Sequence, residues 1–115
     1  AVTERLGTPD VLVNNAGVCL HGSAVQTLRT SLATNAIGPW RLTEALGLDS
    51  VLPVSGRPGA VVNVGSGDGA LECLSSVVAD MFRVSSTVEE VLALCREDGP
   101  LYELAAAGEE IAFGP

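Results

Sequence analysis

Apolar residues along this chain fall into two short unbroken runs and several longer periodic ones. Val11-Leu12-Val13, entered from Asp10, and Ala60-Val61-Val62-Asn63-Val64 are rich in β-branched residues and lack polar alternation. Such runs predict strands covered on both faces, as in the parallel sheet of an α/β protein. Each run stops at residues that tolerate turn geometry. Asn14-Asn15-Ala16-Gly17 follows the first; Gly65-Ser66-Gly67-Asp68-Gly69 follows the second, which Pro58-Gly59 starts. Between them Leu28, Leu32, Asn35, Leu42 and Leu46 recur at helical spacing, predicting a helix over 24–47 with one apolar face. Gly38-Pro39 interrupts that helix and predicts a kink, because proline removes a helical hydrogen bond. Strand, helix and strand form a βαβ unit, whose connection is right-handed nearly always.

After Gly69 the pattern changes to short acidic helices. Thr87-Val88-Glu89-Glu90 has capping-box spacing, in which the Thr87 hydroxyl accepts from the Glu90 amide. Leu92, Leu94 and Cys95 continue that helix until Asp98-Gly99-Pro100 ends it. Residues 101–107 are a last helical turn or two, and Phe113-Gly114-Pro115 closes the chain without a cap.

A length of 115 residues allows one domain, and 47% hydrophobic with 17% charged residues excludes a disordered chain. The net charge is −8, and all six basic residues are arginine. Residues 1–60 balance four acids against four arginines. Residues 61–115 set ten acids against Arg83 and Arg96 and so carry the whole excess. Such a surface repels polyanions, so nucleic acid is excluded as a partner. No run reaches the ~18 apolar residues of a membrane span. Glu4, Arg5 and Pro9 deny the first ten residues a secretory core, so the expected location is cytoplasmic. Cys19, Cys73 and Cys95 have no pairing or ligand spacing and His21 is the lone histidine, so idle thiols and no metal are expected. His21 reads as a solvated loop residue and Trp40 as packing.

Gly65 to Ala70 satisfies G-x-G-x-x-A after a strand, the form of a dinucleotide phosphate loop. Asp68 opposes that reading. At about 4 Å and an effective dielectric near 20, one like-charge contact with a phosphate costs roughly 4 kcal/mol. A hydrolase nucleophile elbow at Ser66 fails, because Val64 and Asp68 stand where glycines are needed.

The ordered series Asn14-Asn15-Ala16-Gly17, then Asn35 within Thr34-Asn35-Ala36-Ile37-Gly38, then Val61-Val62-Asn63-Val64-Gly65-Ser66 resembles the middle of a short-chain dehydrogenase/reductase over 10–69. The resemblance implies a doubly wound, parallel-sheet Rossmann fold, of which this chain holds two central strands and their crossover helix. It implies cofactor contacts at Asn14, Asn15, Ala16, Gly17 and Val64. Catalytic roles fall on Ser66, which holds the substrate carbonyl, and on Asn35 in a proton relay. Gly65 departs from the serine that the family commonly has there. Met81-Phe82-Arg83 and Thr87-Val88-Glu89-Glu90-Val91-Leu92 are similar to the helical insertion of monomeric carbonyl reductases, which would span 71–112 and keep the protein monomeric.

That resemblance implies reduction of a small carbonyl compound to an alcohol with NADP, NAD being the alternative cofactor. The family's N-terminal glycine-rich loop would precede Ala1, and its Tyr-x-x-x-Lys pair would follow Pro115. Tyr102 does not replace it, since Ala106 stands four residues on and the chain has no lysine. The expectation is therefore a fragment, 1–115, of one NAD(P)-binding domain, because six βα units need about 180 residues. Alone it would be catalytically incomplete and poorly soluble or molten. The alternative is a truncated or degenerate relative acting as a non-catalytic binding or structural domain. The enzyme reading requires the two strand ends to open onto one crevice that Ser66 and Asn35 share.

Overall fold

A computed structural model of the chain describes residues 2–22, 24–48 and 59–112. The Pro58 start signal and the Phe113-Gly114-Pro115 end lie outside the described residues. Two four-residue strands, β1 (Val11–Asn14) and β2 (Ala60–Asn63), pair in parallel with Val11 opposite Ala60 and Asn14 opposite Asn63. The ladder extends past both ends, where Ala60 N–H donates to Asp10 O and Val64 N–H to Asn14 O, each at 2.9 Å. Ahead of β1 lies one short helix, α1 (Val2–Leu6), that the sequence pattern does not predict.

The predicted connecting helix is three pieces: α2 (Val25–Leu32), a π-helical turn over Ala33–Ile37, and α3 (Gly38–Ala45). The expected kink is thus a π turn placed just before Pro39. Two residues explain it. Proline has no N–H and its ring collides with the carbonyl four residues back, which is Asn35; one extra residue in the turn relieves that collision. Gly38 closes the turn by donating to Ala33 O, and a Cβ at position 38 would sit 2.7 Å from that same oxygen. Only glycine fits there.

After β2 come two 3₁₀ turns, Gly67–Gly69 and Leu71–Cys73, and then α4 (Ser76–Val84), α5 (Val88–Leu94) and α6 (Pro100–Ala106). The capping box at Thr87 forms as the spacing predicts: the Thr87 hydroxyl accepts from Glu90 N–H at 3.2 Å, and Glu90 Oε2 accepts from Thr87 N–H at 3.3 Å. This tail returns to its own beginning. Leu74 bridges Ala112 in antiparallel fashion, and Ser75 N–H donates to Ile111 O at 2.9 Å. It docks on α2 through α6, where Arg29 forms a 2.7 Å ion pair with Glu97 and lies 6.0 Å from the centre of the Tyr102 ring.

Among the described residues the core is Val78, Ala79, Leu101, Tyr102 and Ala105, all within α4 and α6. The strands, expected to be covered on both faces, are covered on one by the described residues. Leu12, Asn14 and Val61 are half-buried on the face toward the crossover helix. On the other face Val11 and Val13 are each 55% exposed, Val62 47% and Val64 56%. The cover that their side chains require is not supplied by any described residue. Among the described residues, the helices are too short or too polar to cross a membrane. All three cysteines are free; Cys19 is exposed, whereas Cys73 and Cys95 are half-buried. His21 is exposed and Trp40 half-buried.

Candidate active site

Both strands end, at their carboxyl side, on one cleft of about 1060 Å³. In parallel α/β sheets this is where ligands bind, because the loops leaving the strands diverge there. The cleft is lined by Asn14, Asn15, Ala16 and Gly17 from the first loop, Asn35 from the π turn, and Val64, Gly65 and Ser66 from the second loop. Every site residue singled out in the sequence therefore meets the same space, including residues 35 and 66.

Asn14 serves the sheet. Its Nδ2 donates to Asn63 Oδ1 at 2.8 Å across the ladder and reaches Thr43 Oγ1 on α3 at 3.5 Å. Thr43 in turn donates to Pro39 O at 2.8 Å, a carbonyl of α3's first turn. One asparagine thus joins β1, β2 and the crossover helix at the rim of the cleft.

Asn35 lines the cleft, and its side-chain amide also binds the first loop. Oδ1 accepts from Val18 N–H at 2.9 Å and Nδ2 donates to Val18 O at 2.8 Å. These two bonds hold the loop after Gly17, and a Cβ at position 17 would lie 3.5 Å from Asn35 Oδ1. The carbonyl of Asn35 is a different matter. Its α-helical donor would be the N–H of residue 39, and Pro39 has none.

Asn15 and Ser66 are exposed, and their side chains make no hydrogen bond to any described residue. Ser66 stands in extended conformation at the mouth of the 3₁₀ turn, its carbonyl accepting from Gly69 N–H at 3.1 Å. Its hydroxyl is therefore available to a ligand. Asp68 lines the same cleft, and its charge opposes a phosphate beside the Gly65–Ala70 turn. Tyr102 does not line this cleft; it is buried in the tail core. Burial, then the neighbouring Glu97, push its hydroxyl pKa up, the opposite of what a neutral-pH proton donor needs. Among the described residues no group of histidine, cysteine and acidic side chains is arranged to hold a metal ion.

Fold and cleft define an α/β protein with a βαβ unit whose strand ends carry neutral hydrogen-bonding groups. Over 64 residues, 52% of this chain, the sequence is 39% identical to the Short-chain dehydrogenase RED1 of Pyricularia oryzae. The match covers 22% of that relative's length and supports kinship with the short-chain dehydrogenases. No family model and no solved structure matches the chain.

Proposed function

We propose that this chain is the central part of a short-chain dehydrogenase/reductase, and that the whole protein reduces a small ketone or aldehyde with NADPH. The observation that carries the reading is the shared cleft: Ser66, Asn35 and the Asn14–Gly17 loop come from three separate segments and line one space. The similarity to a short-chain dehydrogenase agrees with it.

The cleft's donor set fits the sugar and nicotinamide part of a dinucleotide better than its phosphates. Asparagine amides and backbone groups at Asn14, Asn15, Ala16, Gly17 and Val64 match hydroxyls and a carboxamide, whereas Asp68 disfavours phosphate. In this reading the glycine-rich phosphate loop and the Tyr-x-x-x-Lys pair belong to other parts of the protein. When bound, the reduced nicotinamide supplies the hydride.

This chain's residues do the rest of the local work. The Ser66 Oγ–H donates to the carbonyl oxygen and stabilises the negative charge that grows there. Asn35 holds the loop at Val18 with its side chain and, from its place on the cleft, orders a water of the proton relay. Asn14 fixes the spacing of the two strand ends. Residues 71–112 act as an insertion, a reading favoured by the way Leu74 and Ala112 bring its ends together. That insertion would cover α2 and leave the protein monomeric.

The test is NADPH oxidation by the whole protein with aromatic ketones. Saturable turnover is expected, and Ser66→Ala should lower kcat/KM by about 10²–10³. Absence of any ketone-dependent NADPH oxidation contradicts the proposal, and so does an unimpaired Ser66→Ala variant.

A further inference from the structure

A second cleft, of about 560 Å³, adjoins the first and shares Cys19 and Asp68 with it. Its volume lies within the range of roughly 300–1,000 Å³ usual for small-molecule sites. Leu28 from α2 and Ile111 from the returning tail give it apolar walls, while its charge-bearing residues are His21, Asp68 and Glu110. No arginine of the described residues lines it. Asp68 is two residues from Ser66, on a turn closed by the Gly69 N–H to Ser66 O hydrogen bond. A carbonyl held by the Ser66 hydroxyl has the first cleft, read here as the cofactor's, on one side. The two clefts meet at Cys19 and Asp68, so the second is the space open to the remainder of that molecule past Asp68.

We propose that this second cleft selects carbonyl compounds whose remainder is neutral or carries an ammonium group, and that Asp68 and Glu110 set that selection against carboxylates and phosphates. The inference rests on the reading that Ser66 holds the carbonyl. Both acidic residues are exposed, so each acts through solvent and is screened by salt. Together with the chain's net charge of −8 they disfavour an anionic group at its approach and in its seat. One imidazole, at His21, does not balance them. The apolar walls supply affinity without regard to charge, so the sign of the charge on the remainder decides between molecules of equal size.

Three matched probes test this with the whole protein and NADPH: 4-methylacetophenone, 4-(aminomethyl)acetophenone and 4-acetylbenzoate. Each is an aryl methyl ketone with a small para group of different charge, and the salt and variant arms separate that charge from the group's electronic effect on the carbonyl. The expected kcat/KM for 4-acetylbenzoate is about tenfold or more below that of the amine probe, with the methyl probe between them. Raising the salt to ~1 M, where the screening length falls to about 3 Å, should shrink that ratio. Asp68→Asn with Glu110→Gln should bring it toward one. A ratio unmoved by salt and by the double variant overturns the proposal, as does preferential reduction of 4-acetylbenzoate. Binding of the same probes by calorimetry separates this inference from the activity it rests on. Binding in the expected charge order without turnover contradicts the reductase reading and supports the selectivity; binding in the reverse order, or none, overturns the selectivity.

Discussion

The Asn35 side chain directs both its donor and its acceptor at the backbone of a single residue, Val18. Its position on the leucine stripe of a predicted helix marks it in the sequence as a polar residue placed on purpose. Its partner is not legible there, because the loop after Gly17 takes its shape from packing and no periodicity encodes it. The same limit applies to Ser66, whose chemistry is visible in the sequence but whose lack of a local partner is a fact of the folded loop. Two hydrogen bonds of about 0.5–1.5 kcal/mol each bind Asn35 to Val18. Asn35→Ala should therefore destabilise the whole protein by about 1–3 kcal/mol in urea unfolding. It should also raise amide exchange at Val18 and Cys19 selectively. Asn35→Ala with unchanged exchange in that loop would show that the loop holds itself.

At the scale of elements, the strands, the capping box and the helix interruption are legible because each rests on local chemistry. Continuous β-branched runs, a Thr-x-x-Glu spacing and a Gly-Pro pair act within a few residues of themselves. The form of the interruption is less local: a π turn appears where the Pro39 ring must clear the Asn35 carbonyl. The tail's attachment to α2 is a long-range pairing of Arg29 with Glu97, which no spacing rule foretells. Its electrostatics make a prediction. Glu90 is held below the ordinary carboxylate range chiefly by the Ser86 backbone N–H, which donates to it at 2.6 Å. Glu97 is held below it by the hydrogen bond and charge of Arg29. Carboxyls lowered on folding contribute stability that is full above their unfolded value and lost as pH falls through the folded one. The ordinary value is 4.5 for both, so α5 and the α6–α2 contact should loosen as the pH drops below it. Circular dichroism and amide exchange over 86–97 between pH 6 and 2 follow that loss. Glu90→Gln with Glu97→Gln should flatten the acid limb, whereas an acid response identical to the parent chain would locate the sensitive groups elsewhere.

At the scale of the molecule, the buried core of the described residues sits in the tail, and those residues cover the sheet on one face. The accessible surface is 7896 Å², against about 5,900 Å² for a compact protein of this mass. The Cα radius of gyration is 16.0 Å, against about 13 Å for a domain of about this length. The valine runs of β1 and β2 state what the strands need, which is cover on both sides. They do not state where along a chain that cover lies, and that is why the sequence pattern predicts a burial that the described residues do not supply. The 115-residue chain in isolation should accordingly bind anilinonaphthalene sulfonate strongly and lose ellipticity gradually on heating. A sharp cooperative melt with no dye binding would mean that the valine face is satisfied within the chain.

In the proposed function, one cleft at the two strand ends is the place where cofactor and carbonyl meet. Titrating NADP⁺ into the ¹⁵N-labelled whole protein and following its amide resonances tests this most directly. Saturable shifts should appear together at Asn15, Ala16, Gly17, Val64 and Ser66, with α5 and α6 unmoved. Shifts confined to the helical tail, or none at all, would contradict it.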